Sequence, residues 1–114
     1  MIKIYHNPRC RKSREGLAIL ESKEIEFEVV KYLDNPLSFD ELSDIISKLG
    51  IAPIALVRKN EAIWKENFKG KELRDSEVIQ AMVDYPKLIE RPIVVNQDKA
   101  VLGRPPENIN LIVE

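Results

Sequence analysis

Apolar and polar positions change their period along the chain, and each change marks an element. Ile2, Ile4 and Tyr5 open as a short strand, stopped by the turn dipeptide Asn7-Pro8. From Lys12 to Lys23, Leu17, Ile19 and Leu20 stand among arginines and glutamates, the pattern of an amphipathic helix. Alternation returns over Glu24–Leu33, through Ile25, Phe27 and Val29 and then Val30 and Tyr32, predicting a second strand ended by Asp34-Asn35-Pro36. Ser38 and Glu41 match a capping box. Beyond them Phe39, Leu42, Ile45, Ile46 and Leu49 continue at helical spacing up to Gly50.

The stretch from Pro53 to Lys71 reads as short helical pieces carrying Leu56, Val57, Ile63, Trp64 and Phe68. Asp75 or Ser76 caps a further helix through Val78, Ile79, Met82 and Val83, and Pro86 follows its end. Pro92–Asn96 and Ala100–Leu102 bracket Gln97-Asp98, a polar link that predicts a β-hairpin. Pro105-Pro106 suits the first turn of a closing helix with Ile109, Leu111, Ile112 and Val113 on its apolar side. Strand, helix, strand, helices, hairpin and a last helix make an α/β protein on the thioredoxin-like plan. Its central mixed sheet has about four strands flanked by helices, with a helical insertion. No linker or repeat interrupts the chain, so residues 1–114 read as a single domain.

Composition narrows the class. The 114 residues are 44% hydrophobic and 32% charged, with a net charge of −1, which argues against a general nucleic-acid binder. The longest uncharged apolar run, Ile51–Val57, is broken by Pro53 and is far too short for a membrane span. Charges at Lys3 and from Arg9 onward leave no signal-peptide core, so a cytoplasmic protein with no membrane partner is expected. The single cysteine excludes an internal disulfide, a cysteine-rich zinc module and an iron–sulfur cluster.

That cysteine is Cys10, just past a strand and a turn, at the expected start of a helix. Around it stand Lys3, His6, Arg9, Arg11, Lys12 and Arg14, with no acid before Glu15. Helix N–H groups and cations both favour thiolate over thiol. The duller alternative, an inert cysteine packed as a small hydrophobe, calls for apolar neighbours that the sequence lacks. A dithiol C-x-x-C needs a cysteine where Ser13 stands, and a C-x5-R phosphatase needs an arginine where Gly16 stands. Cys10 would therefore act as a monothiol that takes its second thiol from another molecule.

Tyr5-His6-Asn7-Pro8-Arg9-Cys10-Arg11-Lys12-Ser13-Arg14 resembles the active-site segment of the glutaredoxin-dependent arsenate reductase family, the ArsC type with a thioredoxin-like fold. Three further segments fit that family in order: Leu56-Val57-Arg58, Arg91-Pro92-Ile93-Val94 and Gly103-Arg104-Pro105-Pro106. The resemblance implies that Arg58, Arg91 and Arg104 bind the oxyanion, with Arg91 preceding a cis-proline. It places an active-site histidine at His6 and a hydroxyl neighbour at Ser13. Planar guanidinium forks suit a tetrahedral oxyanion, although most arginines are simply solvated. His6 has the alternative of a turn residue bonded to its own backbone, and Ser13 that of a solvent-facing hydroxyl. The segment departs from some members at Arg11-Lys12, where they carry small residues.

The activity implied is reduction of arsenate by the Cys10 thiolate, with glutathione as co-substrate, glutaredoxin as partner and no bound cofactor or metal. Two other functions compete with it. One is an Spx-type regulatory module on RNA polymerase, which would sense redox state through the C-x-x-C that Ser13 interrupts. The other is a glutathione-linked thiol transferase that handles no arsenate.

Overall fold

The computed structural model describes residues 2–113. In chain order the elements are β1 (Ile2–Tyr5), α1 (Arg11–Ser22), β2 (Phe27–Val30), α2 (Phe39–Leu49), α3 (Ala62–Asn67), α4 (Asp75–Asp84), β3 (Ile93–Asn96), β4 (Lys99–Leu102) and α5 (Asn110–Val113). Short 3-10 turns occupy Pro53–Leu56, Pro86–Leu88 and Pro106–Ile109. They form two compact units. One joins the N-terminal segment up to Asn35 with the chain from Arg91 onward, and the other is Pro36–Glu90. Among the described residues no helix is long and apolar enough to cross a membrane.

The first unit is built on a mixed four-stranded sheet in the order β2-β1-β3-β4. β1 runs parallel to β2, with Ile2 opposite Phe27, and a parallel pair needs the crossover that α1 provides. β1 runs antiparallel to β3, with Ile4 opposite Val94, and β3 turns back into β4 through Gln97, whose φ is 59°. Alternation sends Ile2 and Ile4 to one face. There Ile4 and Val94 are fully buried with Leu20 of α1 and Ile109 of the last turn, and Leu17, Phe27, Val101 and Ile112 pack around them. Each such aliphatic side chain contributes roughly 1.5–3 kcal/mol on burial. On the other side of the pleat Tyr5, Ile93 and Val95 are also buried.

In the second unit α2 packs against α4, and Leu42, Ile45 and Ile46 of the one and Val78, Ile79 and Met82 of the other are buried, as are Leu56 and Leu88 of the 3-10 turns. Trp64 stacks on Phe68 with ring centroids 5.2 Å apart, and Phe68 meets Tyr85 edge-on. The capping box expected at α2 is formed: Ser38 Oγ accepts from Glu41 N–H, and the Glu41 carboxylate accepts from Ser38 N–H. Gly50 ends the helix in the left-handed region at φ 68°.

Three expectations about elements need correction. The second strand is only Phe27–Val30, because α1 unwinds through Lys23 and Glu24, the latter at φ 55°. At its far end Lys31 O already accepts turn bonds from Asp34 and Asn35. The cap of α4 is Arg74 rather than Asp75 or Ser76. Asp75 lies inside the first turn, and the Glu77 carboxylate accepts the Arg74 N–H at 2.9 Å. Leu111, expected on an apolar face, is 75% exposed.

Candidate active site

The loop between β1 and α1 is folded by its own polar groups. Asn7 O accepts the Cys10 N–H and Asn7 Oδ1 accepts the Arg9 N–H, each at 3.0 Å, closing the turn that Pro8 starts. The chain thereby delivers Cys10 to the N-cap of α1 in extended conformation. An oxygen at that position commonly accepts from the second and third helical N–H groups, here those of Lys12 and Ser13. No capping hydrogen bond is formed by the Cys10 side chain, but those two N–H groups are near enough to stabilise its anion.

Cys10 is buried, as the inert alternative would have it. Its surroundings are nevertheless polar. Burial pushes the thiol up. The Ser13 N–H, hydrogen bonding and charge from Arg91, and the Lys12 N–H outweigh it, leaving the thiol below its ordinary range. Arg104 adds a second guanidinium, with Nη2 4.0 Å from the sulphur, while its Nε donates to Arg91 O at 2.9 Å. The two arginines are thus tied to each other as well as turned to Cys10.

His6 and Ser13 are not placed as the duller alternative for each would have it. His6 is buried and its Nδ1 lies 2.7 Å from Ser13 Oγ, so its partner is not its own backbone. Ser13 is fully buried rather than solvent-facing, and its Oγ also accepts the Asn7 N–H at 2.9 Å. The hydroxyl braces the loop, and it is the Ser13 main chain that addresses the sulphur. Burial holds the His6 pKa below its ordinary 6.5. The Lys31 and Arg14 charges act in the same sense, against the Ser13 bond and Glu21.

Arg91-Pro92 is a cis peptide, as the resemblance implied, and so is Arg104-Pro105. Arg58 belongs to the second unit, where Val57 bridges Ile89 and Arg58 N–H donates to Leu88 O. Its guanidinium pairs with Glu61 at 3.0 Å and Glu90 at 3.5 Å. The sequence reading missed Asn7 as the organiser of the loop, seeing only an Asn-Pro turn.

A profile of the ArsC family matches residues 5–112. The chain belongs to the ArsC family. It is 46% identical over 114 residues to an arsenate reductase of Neisseria meningitidis, covering 98% of this chain and 97% of that one. It is 49% identical to an Escherichia coli protein, YfgD, described as uncharacterized, over 98% of this chain and 96% of that one. Among solved structures, an arsenate reductase from Vibrio cholerae superposes with a TM-score of 0.93 at 45% identity, covering 98% of this chain and 97% of that chain. The fold is thioredoxin-like α/β, as expected from the order of elements.

Proposed function

We propose that this protein is a cytoplasmic arsenate reductase that works through one thiol and an external thiol reductant. The observation that carries the reading is Cys10 at the N-cap of α1 with Arg91 and Arg104 turned to its sulphur. Named relatives at 46% identity support the substrate.

The Cys10 thiolate attacks arsenic, an S–As bond forms, and an arsenate oxygen leaves as water after protonation. Without cations the approaching anions repel; Arg91 and Arg104 offset that charge and hold the thiol–arsenate adduct. A second thiolate, from glutathione, then attacks the Cys10 sulphur. The S–As bond breaks with its electron pair passing to arsenic, so As(V) leaves as arsenite, As(III), and a Cys10–glutathione disulfide remains. A further thiol, supplied by glutaredoxin, exchanges with that disulfide and returns Cys10. Two thiols are oxidised to one disulfide for each arsenate reduced.

The test is arsenate-dependent NADPH consumption with glutathione, glutaredoxin and glutathione reductase supplied. Wild-type protein is expected to turn over and Cys10→Ser to be inactive; equal rates for the two would end the covalent mechanism. Arg91→Lys and Arg104→Lys keep charge but lose the fork. With charge-assisted bonds worth about 1.5–3 kcal/mol, each variant is expected to lose roughly ten- to a hundredfold in kcat/KM. Wild-type efficiency in both folded variants would remove the oxyanion role.

A further inference from the structure

Gly103 stands immediately before Arg104, and its N–H donates to Pro92 O at 2.8 Å. It is buried, and a Cβ built on it would meet Pro92 Cγ at 2.7 Å, Ile109 Cδ1 at 3.3 Å and Pro92 Cδ at 3.4 Å. The atom met first belongs to a closed ring, whose only local freedom is the pucker that swings Cγ. Pro92 in turn follows Arg91 directly, so one close contact joins the backbones that carry both arginines of the site. Gly16, on α1 six residues beyond Cys10, meets the same ring, and a Cβ there would stand 2.8 Å from Pro92 Cγ. Pro92 is thus packed closely against two glycines, each with a hydrogen where a methyl would collide.

We propose that Gly103 is a positioning residue, setting how closely the Arg91 and Arg104 guanidiniums approach the Cys10 sulphur. The mechanism is steric. A methyl at residue 103 must displace Pro92 Cγ, by a change of pucker or with the whole ring, by several tenths of an ångström to reach ordinary contact. That displacement strains the Gly103 N–H to Pro92 O bond and the Arg104 Nε to Arg91 O bond together. Arg104 Nη2 stands 4.0 Å from the sulphur, so a retreat of its backbone lengthens an approach that is already long. For the reduction step the inference rests on the arsenate reading, whereas its effect on the thiol does not.

The experiment compares wild type with Gly103→Ala by the pH dependence of iodoacetamide alkylation at Cys10, by KM and kcat for arsenate, and by thermal melting. The alkylation inflection is expected to move up toward that of a free cysteine, because guanidiniums that stabilise the anion have been moved off. KM for arsenate is expected to rise on the order of tenfold, more than kcat falls. A lower melting temperature with an unchanged inflection would make Gly103 a packing residue only and overturn the proposal. If Gly103→Ala does not accumulate folded, Pro92→Ala probes the same contact by removing the ring, and the inflection is again expected to rise; an unchanged inflection there overturns it equally. Because alkylation needs no arsenate, a protein that fails to reduce arsenate yet shows the shift separates the positioning role from the substrate assignment.

Discussion

A single hydroxyl does more at this site than its place in the sequence suggests. Ser13 Oγ accepts a buried main-chain N–H and pairs with a buried ring nitrogen, so Ser13→Ala leaves both without a partner. An unsatisfied buried group costs about 1–3 kcal/mol, and a drop of that size in urea unfolding is expected. Activity should fall without vanishing, since the Ser13 main-chain N–H that faces the sulphur survives. A variant as stable as wild type would show that water replaces the hydroxyl. His6 yields a pH prediction. Its folded pKa lies below the ordinary 6.5, with burial the main cause, so between the two values the unfolded chain binds a proton that the folded chain does not. Stability therefore rises with pH through that window and is lost as pH falls through it. Unfolding midpoints from roughly pH 5 to 7.5 should decline on the acid side for wild type and be flatter for His6→Gln. The helix start at Cys10 was legible beforehand because it is a local feature, whereas the guanidiniums turned to the sulphur are those of Arg91 and Arg104, far along the chain, and not its basic neighbours. The role of the Ser13 side chain was not legible. Its partners, His6 and Asn7, are assembled only when the loop closes on Asn7 O and Oδ1.

Helix α2 is the element whose ends were readable letter by letter. Ser38 and Glu41 satisfy each other's N–H groups, and Gly50 takes a left-handed conformation with open space around its missing Cβ. Ser38→Ala should cost about 1 kcal/mol through the lost cap. Gly50→Ala should cost about 1–2 kcal/mol, through conformation rather than collision. At opposite ends of one helix they share no partner, so the double variant should equal the sum in urea denaturation. A clear deviation from the sum would mean that the helix frays from one end only. Elsewhere boundaries were less legible, for identifiable reasons. The start of α4 is supported from Glu77, three residues inside the helix, so looking for a polar N-cap side chain picks Asp75 or Ser76 and misses Arg74. The second strand was overdrawn because Ile25 and Tyr32 keep the alternation while turn bonds at Glu24 and Lys31 end the extended backbone.

For the whole chain, the order of elements could be read from periodicity, whereas the neighbour relations could not. Nothing local says that β1 lies between β2 and β3, or that Glu90 returns to share Arg58 with Glu61. Those relations have a measurable signature. β1 and β3 have strands on both sides, while β2 and β4 are edges, so amide exchange within the sheet should be slowest in β1 and β3. Faster exchange in β1 than in β2 would contradict the strand order. The serine standing where a dithiol enzyme keeps its second cysteine has a consequence at this scale too. With one sulphur able to form a disulfide and its neighbour's oxygen sealed between His6 and Asn7, the chain cannot record oxidation by folding a bond into itself. Every disulfide state is a heavier molecule. Intact mass alone, with no reagent or spectral handle, therefore reports how much of the protein is waiting to be released, and the added mass identifies the thiol that put it there.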